Sequence, residues 1–252
     1  MLKIERKQQI LSLLARRKTV RLGELCSLLN ASVATIRRDL TQMEAEGLIH
    51  RVHGGALFTG DQLEPSVSQR RAAQAEGKRR IARAAAYLVK DGETILITGG
   101  TTTEAMTPFL ASRKGLTVIT NAINIANQFT RCPHICVVVL GGWLRHSELS
   151  LVGHLTEGAL RDFRAEKVFY SVYGLDPEVG LTGSDVQEAQ TDRCLIQSAG
   201  SLVVLADRTK FHRVGSVRLA PAAAISTLIT ETGVSEECVL SLREKGIQVI
   251  QV

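Results

Sequence analysis

Apolar positions in the first sixty residues recur at helical spacing three times. Ile4, Ile10, Leu11, Leu13 and Leu14 predict a helix from about residue 3 to residue 17. After a break at β-branched Thr19-Val20, Leu22, Leu25, Leu28 and Leu29 predict a second, shorter helix stopped by Asn30. Ser32 suits the N-cap of a third, with Val33, Ile36, Leu40 and Met43 on one face and Gly47 at its end. Leu48 to Leu57 reads as two short strands around Gly54-Gly55. Residues 58–77 hold Pro65 and several Ser and Gln, lack periodicity, and read as a linker that is helical in part near Arg70 and Arg71.

From Lys78 the pattern changes. Ile81, Ala82, Ala85, Ala86, Leu88 and Val89 predict an amphipathic helix, followed by the strand Thr94–Ile97. Met106, Phe109 and Leu110 mark a helical stretch, Leu116–Thr120 a strand, Ile123 to Phe129 a helix, and Ile135–Leu140 a strand. Further strand-like runs are Val168–Val172, Ser201–Ala206, Ala224–Ile229 and Gln248–Ile250. Strands alternating with helices predict a mainly parallel sheet flanked by helices. The expected fold class is therefore two-domain and α/β, with residues 1–57 and 78–252 as the domains and 58–77 between them.

Charge adds a partner to this picture. Residues 1–60 hold ten Lys/Arg against five Asp/Glu, whereas the other 192 hold 21 against 20. A positive field confined to the N-terminal quarter implies a polyanion there. The first seven residues lack a signal-peptide core and no run of 18 apolar residues occurs, so a cytoplasmic protein without membrane attachment is expected. Five cysteines show no paired framework, and Cys136 opens an apolar run better explained by a strand than by a metal site.

A turn of about three residues before the third helix makes a helix-turn-helix. The polar face of that helix carries Ser32, Ala34, Thr35, Arg37, Arg38 and Gln42: small residues permit close approach to base edges, and the arginines suit bases or phosphates. The hairpin after it is a wing whose Arg51 and His53 suit phosphate or the minor groove. Asp39 is expected to orient the two arginines.

In the second half, polar groups gather where strands end, which is where parallel sheets bind ligands. Thr98, Gly100, Thr101, Thr102 and Thr103 follow the Thr94–Ile97 strand, and such a turn is either a phosphate cradle or simply an N-capped turn. Asn121 follows the next strand, Gly141-Gly142 and Arg145 the third, and Asp207 to Phe211 the Ser201–Ala206 run. Arg145 and Lys210 are candidate anion partners. Trp143 is expected either over the pocket or in the core. No dinucleotide or Walker loop is present, and no cofactor, metal or catalytic residue is expected.

Ser32-Val33-Ala34-Thr35-Ile36-Arg37-Arg38-Asp39-Leu40, Glu46-Gly47-Leu48-Ile49 and His53-Gly54-Gly55-Ala56 resemble the signature of the DeoR family of bacterial regulators. Gly100-Thr101-Thr102, Thr120-Asn121, Gly141-Gly142, Gly174, Glu188 and Asp207-Arg208-Thr209-Lys210-Phe211 extend the resemblance over nearly the whole chain. It implies a recognition helix opening at Ser32, repression of a sugar-use operon, and a sensor similar in fold to ribose-5-phosphate isomerase with a phosphorylated sugar as effector. It also implies phosphate held by Thr101, Thr102 and Lys210, with Asn121, Arg145 and Glu188 toward the polyol. Thr98 stands where the family commonly has Asp, so the fixed negative acceptor for sugar hydroxyls is missing. A homo-oligomer, dimer or tetramer, built through the C-terminal domains is expected on operator DNA.

The rival is a phosphosugar isomerase-like enzyme using Glu188, Asp207 and Lys210 as acid, base and charge clamp. A helix-turn-helix has no use in such an enzyme, and fold likeness does not carry activity. A ligand-free architectural DNA binder would leave the long neutral α/β half superfluous.

Overall fold

The computed structural model describes residues 3–17, 19–45, 48–52, 54–58 and 67–252, which form two compact units divided between Gln69 and Arg70. His53 and Gly47, both singled out above, lie outside the described residues.

In the first unit the order is α1 (Lys3–Arg17), β1 (Thr19–Arg21), α2 (Leu22–Leu29), α3 (Val33–Ala45), β2 (Ile49–Val52) and β3 (Gly55–Phe58). Ile10, Leu14, Leu25, Leu29, Ile36, Leu40, Met43 and Ile49 close one apolar core. Asn30 ends α2 in the left-handed region at φ 46°, and only Asn30, Ala31 and Ser32 separate α2 from α3. Ser32 Oγ accepts the Thr35 amide at 3.2 Å, the expected N-cap bond. The Thr19-Val20 break proves to be a strand: β1 pairs antiparallel with β3, which pairs with β2. Gly55 permits this, since a Cβ there would stand 2.3 Å from the Val20 carbonyl oxygen.

The boundary between the units falls within a short helix, α4 (Val67–Ala72), in the expected linker, and α5 (Ala75–Tyr87) starts three residues ahead of Lys78. Then come β4 (Thr94–Ile97), α6 (Thr101–Glu104), α7 (Thr107–Leu110), β5 (Thr117–Thr120), α8 (Ile123–Phe129), β6 (Cys136–Val139), β7 (Trp143–Arg145), β8 (Ser150–Val152) and α9 (His154–Leu160). The rest is β9 (Ala165–Ser171), β10 (Gly174–Asp176), β11 (Gly180–Gly183), α10 (Val186–Gln197), β12 (Ala199–Ala206), β13 (Val217–Ala220), β14 (Thr227–Thr230), α11 (Glu236–Glu244) and β15 (Gln248–Gln251).

Seven strands form one parallel sheet in the order β15-β14-β12-β9-β4-β5-β6. Ile95, Ile97, Phe169, Val203 and Leu205 face α5 on one side, and Leu96, Val168, Tyr170, Leu202 and Val204 join a second core on the other. Both faces are covered, so the strands read as unbroken apolar runs. The β7–β8 hairpin and the antiparallel sheet β10-β11-β13 had no counterpart in the pattern reading. The order reverses between β4 and β9: from β4 the chain winds toward β6, and from β9 toward β15. That switch leaves a crevice beyond the carboxyl ends of the two strands.

Candidate functional site

On the first unit, α3 buries Ile36, Asp39, Leu40 and Met43 and turns outward Ser32, Ala34, Arg37, Arg38 and Gln42, with Thr35 half-buried. Thr41 shares that outer face and was missed, because a lone threonine inside a helix carries no sequence signal. Asp39 does not serve the neighbouring arginines. Its carboxylate takes the Arg6 Nε of α1 at 2.5 Å, and this bond holds the Arg6 pKa above its ordinary value. Adjacent residues on a helix point apart, so Asp39 cannot orient Arg38 from the buried side. Neither Arg37 nor Arg38 has an ion-pair partner among the described residues. Arg51 on the wing folds back on α3, donating from Nη1 to Thr41 Oγ1 at 2.8 Å and from its amide to Glu44 at 2.9 Å. It lies beside the outer face of α3 rather than at the tip of the wing.

On the second unit the polar turn after β4 sits at the switch point. Gly100 has φ +140° and packs on β9, where a Cβ would stand 2.3 Å from that of Ser171. Thr103 is fully buried and donates to the carbonyls of Thr98 at 2.8 Å and Gly100 at 2.9 Å, closing the turn. Thr98 Oγ1 is turned toward β9, near the Phe169 carbonyl at 3.3 Å and the Ser171 amide at 3.4 Å. Asn121 accepts the Gly99 amide at 3.3 Å and donates to the Leu151 carbonyl at 3.1 Å, so it fastens the turn to β8. Thr98, Thr103 and Asn121 thus hold the loops in place. Thr101 and Thr102 are also buried, but their hydroxyls have no hydrogen-bond partner among the described residues. Gly142, at φ +152°, leaves room for Thr156, whose hydroxyl donates to the Gly141 carbonyl at 2.6 Å.

Arg145 and Glu188 do come together, but as each other's partners. Arg145 Nη1 donates to Glu188 at 2.7 Å and Nε to Asp185 at 3.1 Å, with Glu148 at 3.7 Å. Glu148 also takes Arg70 of α4 at 2.6 Å. Burial first, then Asp192, Glu188 and Glu148, push the Tyr170 phenol well above its usual range. Three carboxylates therefore claim Arg145, which is not a spare cation for an anionic ligand. Trp143 is not in the core: it is 69% exposed and meets His154 edge to face at 6.0 Å.

Lys210 ends a 3-10 turn, Arg208–Lys210, capped by Asp207, whose Oδ1 accepts the Thr209 amide at 2.9 Å. Close by is a lysine the sequence reading passed over. Lys78 is 6% exposed, its ammonium donates to the Arg70 carbonyl, and Asp207 and Lys210 both act on its charge. Desolvation is the largest influence and lowers its pKa. The clue was available, because Lys78 precedes Ile81, Ala82 and Ala85 by three, four and seven residues, on the buried face of the helix.

Two family models cover the chain in succession: the DeoR-like helix-turn-helix domain over residues 6–62 and the DeoR C-terminal sensor domain over 73–232. The chain belongs to the DeoR family. It is similar to the HTH-type transcriptional repressor CsqR of Escherichia coli K12, at 34% identity over 90% of this chain and 87% of that one. Other DeoR relatives include a putative aga operon transcriptional repressor of E. coli O157:H7, at 30% over 98% of this chain and 93% of the other. The glycerol-3-phosphate regulon repressor of E. coli K12 is 30% identical over 90% of each chain. A solved ribose 5-phosphate isomerase of Methanocaldococcus jannaschii superposes at TM-score 0.42, with 17% identity and 55% of each chain covered. As a DeoR member this chain is a DNA-binding transcriptional regulator and not an enzyme.

Proposed function

We propose that this regulator represses a carbohydrate-use operon and leaves its operator when a phosphorylated sugar binds the sensor unit. The observation that carries the reading is the pairing, in one chain, of an outward face bearing Arg37 and Arg38 with a polar switch-point turn whose Thr101 and Thr102 hydroxyls are uncommitted. Operon repressors of sugar or polyol-phosphate use among the relatives support the same reading.

In this proposal Ser32, Ala34, Thr35, Arg37, Arg38 and Gln42 meet the major groove, and Arg51 braces the helix edge near phosphate. Thr101, Thr102 and Lys210 take the phosphate. Glu188, held in orientation by Arg145, faces the sugar hydroxyls, so Arg145 acts through Glu188. Glu188 also supplies a fixed negative acceptor in a site where Thr98 replaces the family's Asp. The protein works in the cytoplasm as a homo-oligomer joined through its sensor units, which sets two recognition helices on paired half-sites.

The test is a titration of the protein against DNA from upstream of its own and neighbouring genes, at fixed salt, with and without a panel of sugar phosphates. Specific binding relieved by one compound, and not relieved in Lys210→Ala at unchanged DNA affinity, is the expected outcome. Specific binding indifferent to every compound would remove the effector half.

A further inference from the structure

Three ties fasten α4 to the sensor unit, and all reach elements of the proposed effector site. Arg71 pairs with Glu104, the last residue of α6, at 2.7 Å. Arg70 pairs with Glu148 at 2.6 Å and donates to the Ser147 carbonyl at 3.2 Å, next to the Arg145–Glu188 cluster. The third tie is Lys78 to the Arg70 carbonyl. This last arrangement gives a buried ammonium only a neutral acceptor: burial, the largest influence, disfavours its charge, nearby Asp207 favours it, and Lys210 and Arg70 disfavour it again. Helix α4 is also the element through which the chain runs back from Arg70 toward the DNA-binding unit.

We infer that Lys78 couples the effector to α4: its ammonium leaves the Arg70 carbonyl for the effector's phosphate, and α4 loosens from the sensor unit. The inference rests on the effector reading above. A phosphate is the better partner because charge-assisted hydrogen bonds are about twice as strong as neutral ones. It also relieves the repulsion between Lys78 and Lys210 by standing against both. The Arg70 carbonyl then loses this donor, while Arg70 keeps its pair with Glu148 and its bond to the Ser147 carbonyl, and Arg71 keeps a pair with Glu104 that is half-exposed on the arginine side.

Trypsin reads this directly, because α4 carries its own cleavage sites at Arg70 and Arg71. Cleavage there requires the helix to open, so its rate follows the stability of the docked state. The full-length protein is incubated with each member of the sugar-phosphate panel and with inorganic phosphate, and the first cuts are mapped by mass spectrometry. The compound that releases operator should speed cleavage after Arg70 or Arg71 several-fold in the wild type. Lys78→Met, which lacks this tie from the start, should be cut after Arg70 or Arg71 several-fold faster than the wild type without any compound, bind operator more weakly, and gain no further cleavage from the compound. Lys78→Gln keeps a neutral donor for the Arg70 carbonyl, so it should bind operator and resist trypsin as the wild type does, while release should need roughly tenfold more compound or greater, the loss of one charged hydrogen bond. Release of the wild type without faster cleavage, or either variant responding as the wild type does, overturns the role of Lys78 alone. Failure of every compound to release the wild type overturns the effector reading and this inference with it.

Discussion

At the scale of single residues, neighbouring charges in the sequence have separate duties. Arg37 and Arg38 are exposed and unpaired among the described residues, while Asp39 beside them is buried against Arg6. Helical geometry sends consecutive side chains about 100° apart, so adjacency in sequence is not contact. Arg37→Ala and Arg38→Ala should each weaken operator binding by about 1–3 kcal/mol if they read bases, with little loss on random DNA. Equal losses on both DNAs, with the salt slope reduced by about one, would mark phosphate contacts instead. Fluorescence anisotropy at several salt concentrations separates the two. Lys78 teaches the converse lesson: a cation with three apolar neighbours at helical spacing was already marked as buried, but the carbonyl that accepts its hydrogen bond belongs to another helix.

At the scale of elements, the switch-point turn is built from residues that look like ligand groups and mostly act as fastenings. Thr98, Thr103 and Asn121 spend their polar atoms on the backbone of β9, the turn itself and β8. Gly100 combines φ 140° with ψ 151°, a region open to glycine alone, with the Ser171 contact behind it. Gly100→Ala should therefore cost roughly 3 kcal/mol or more, strain and overpacking together. Gly92→Ala, at φ +79° with open space where the Cβ would stand, should cost only about 1–2 kcal/mol. Urea unfolding of the two variants measures the difference, and equal losses would mean that the β9 contact relaxes freely.

At the scale of the molecule, both cores of the sensor unit are drawn from residues 81–247, and the switch point, Lys78 and Lys210 all belong to the same compact unit. A fragment of residues 67–252 should fold and be stabilised thermally by the sugar phosphate that stabilises the full chain. A fragment that folds but gains no stability would mean that the effector site draws on the first sixty residues. The sequence by itself determined the helix-turn-helix, the strand–helix alternation, the charge asymmetry and the family, because each is written in local spacing and motif. The β1 strand, the β7–β8 hairpin and the β10-β11-β13 sheet escaped it, being short segments whose pairing partners lie elsewhere in the chain. Only the tertiary structure decided that Asp39 answers Arg6, that Arg145 is claimed by carboxylates, and that Lys78 reaches α4. Spacing along a chain fixes which face a side chain takes, whereas its partner depends on which element packs there.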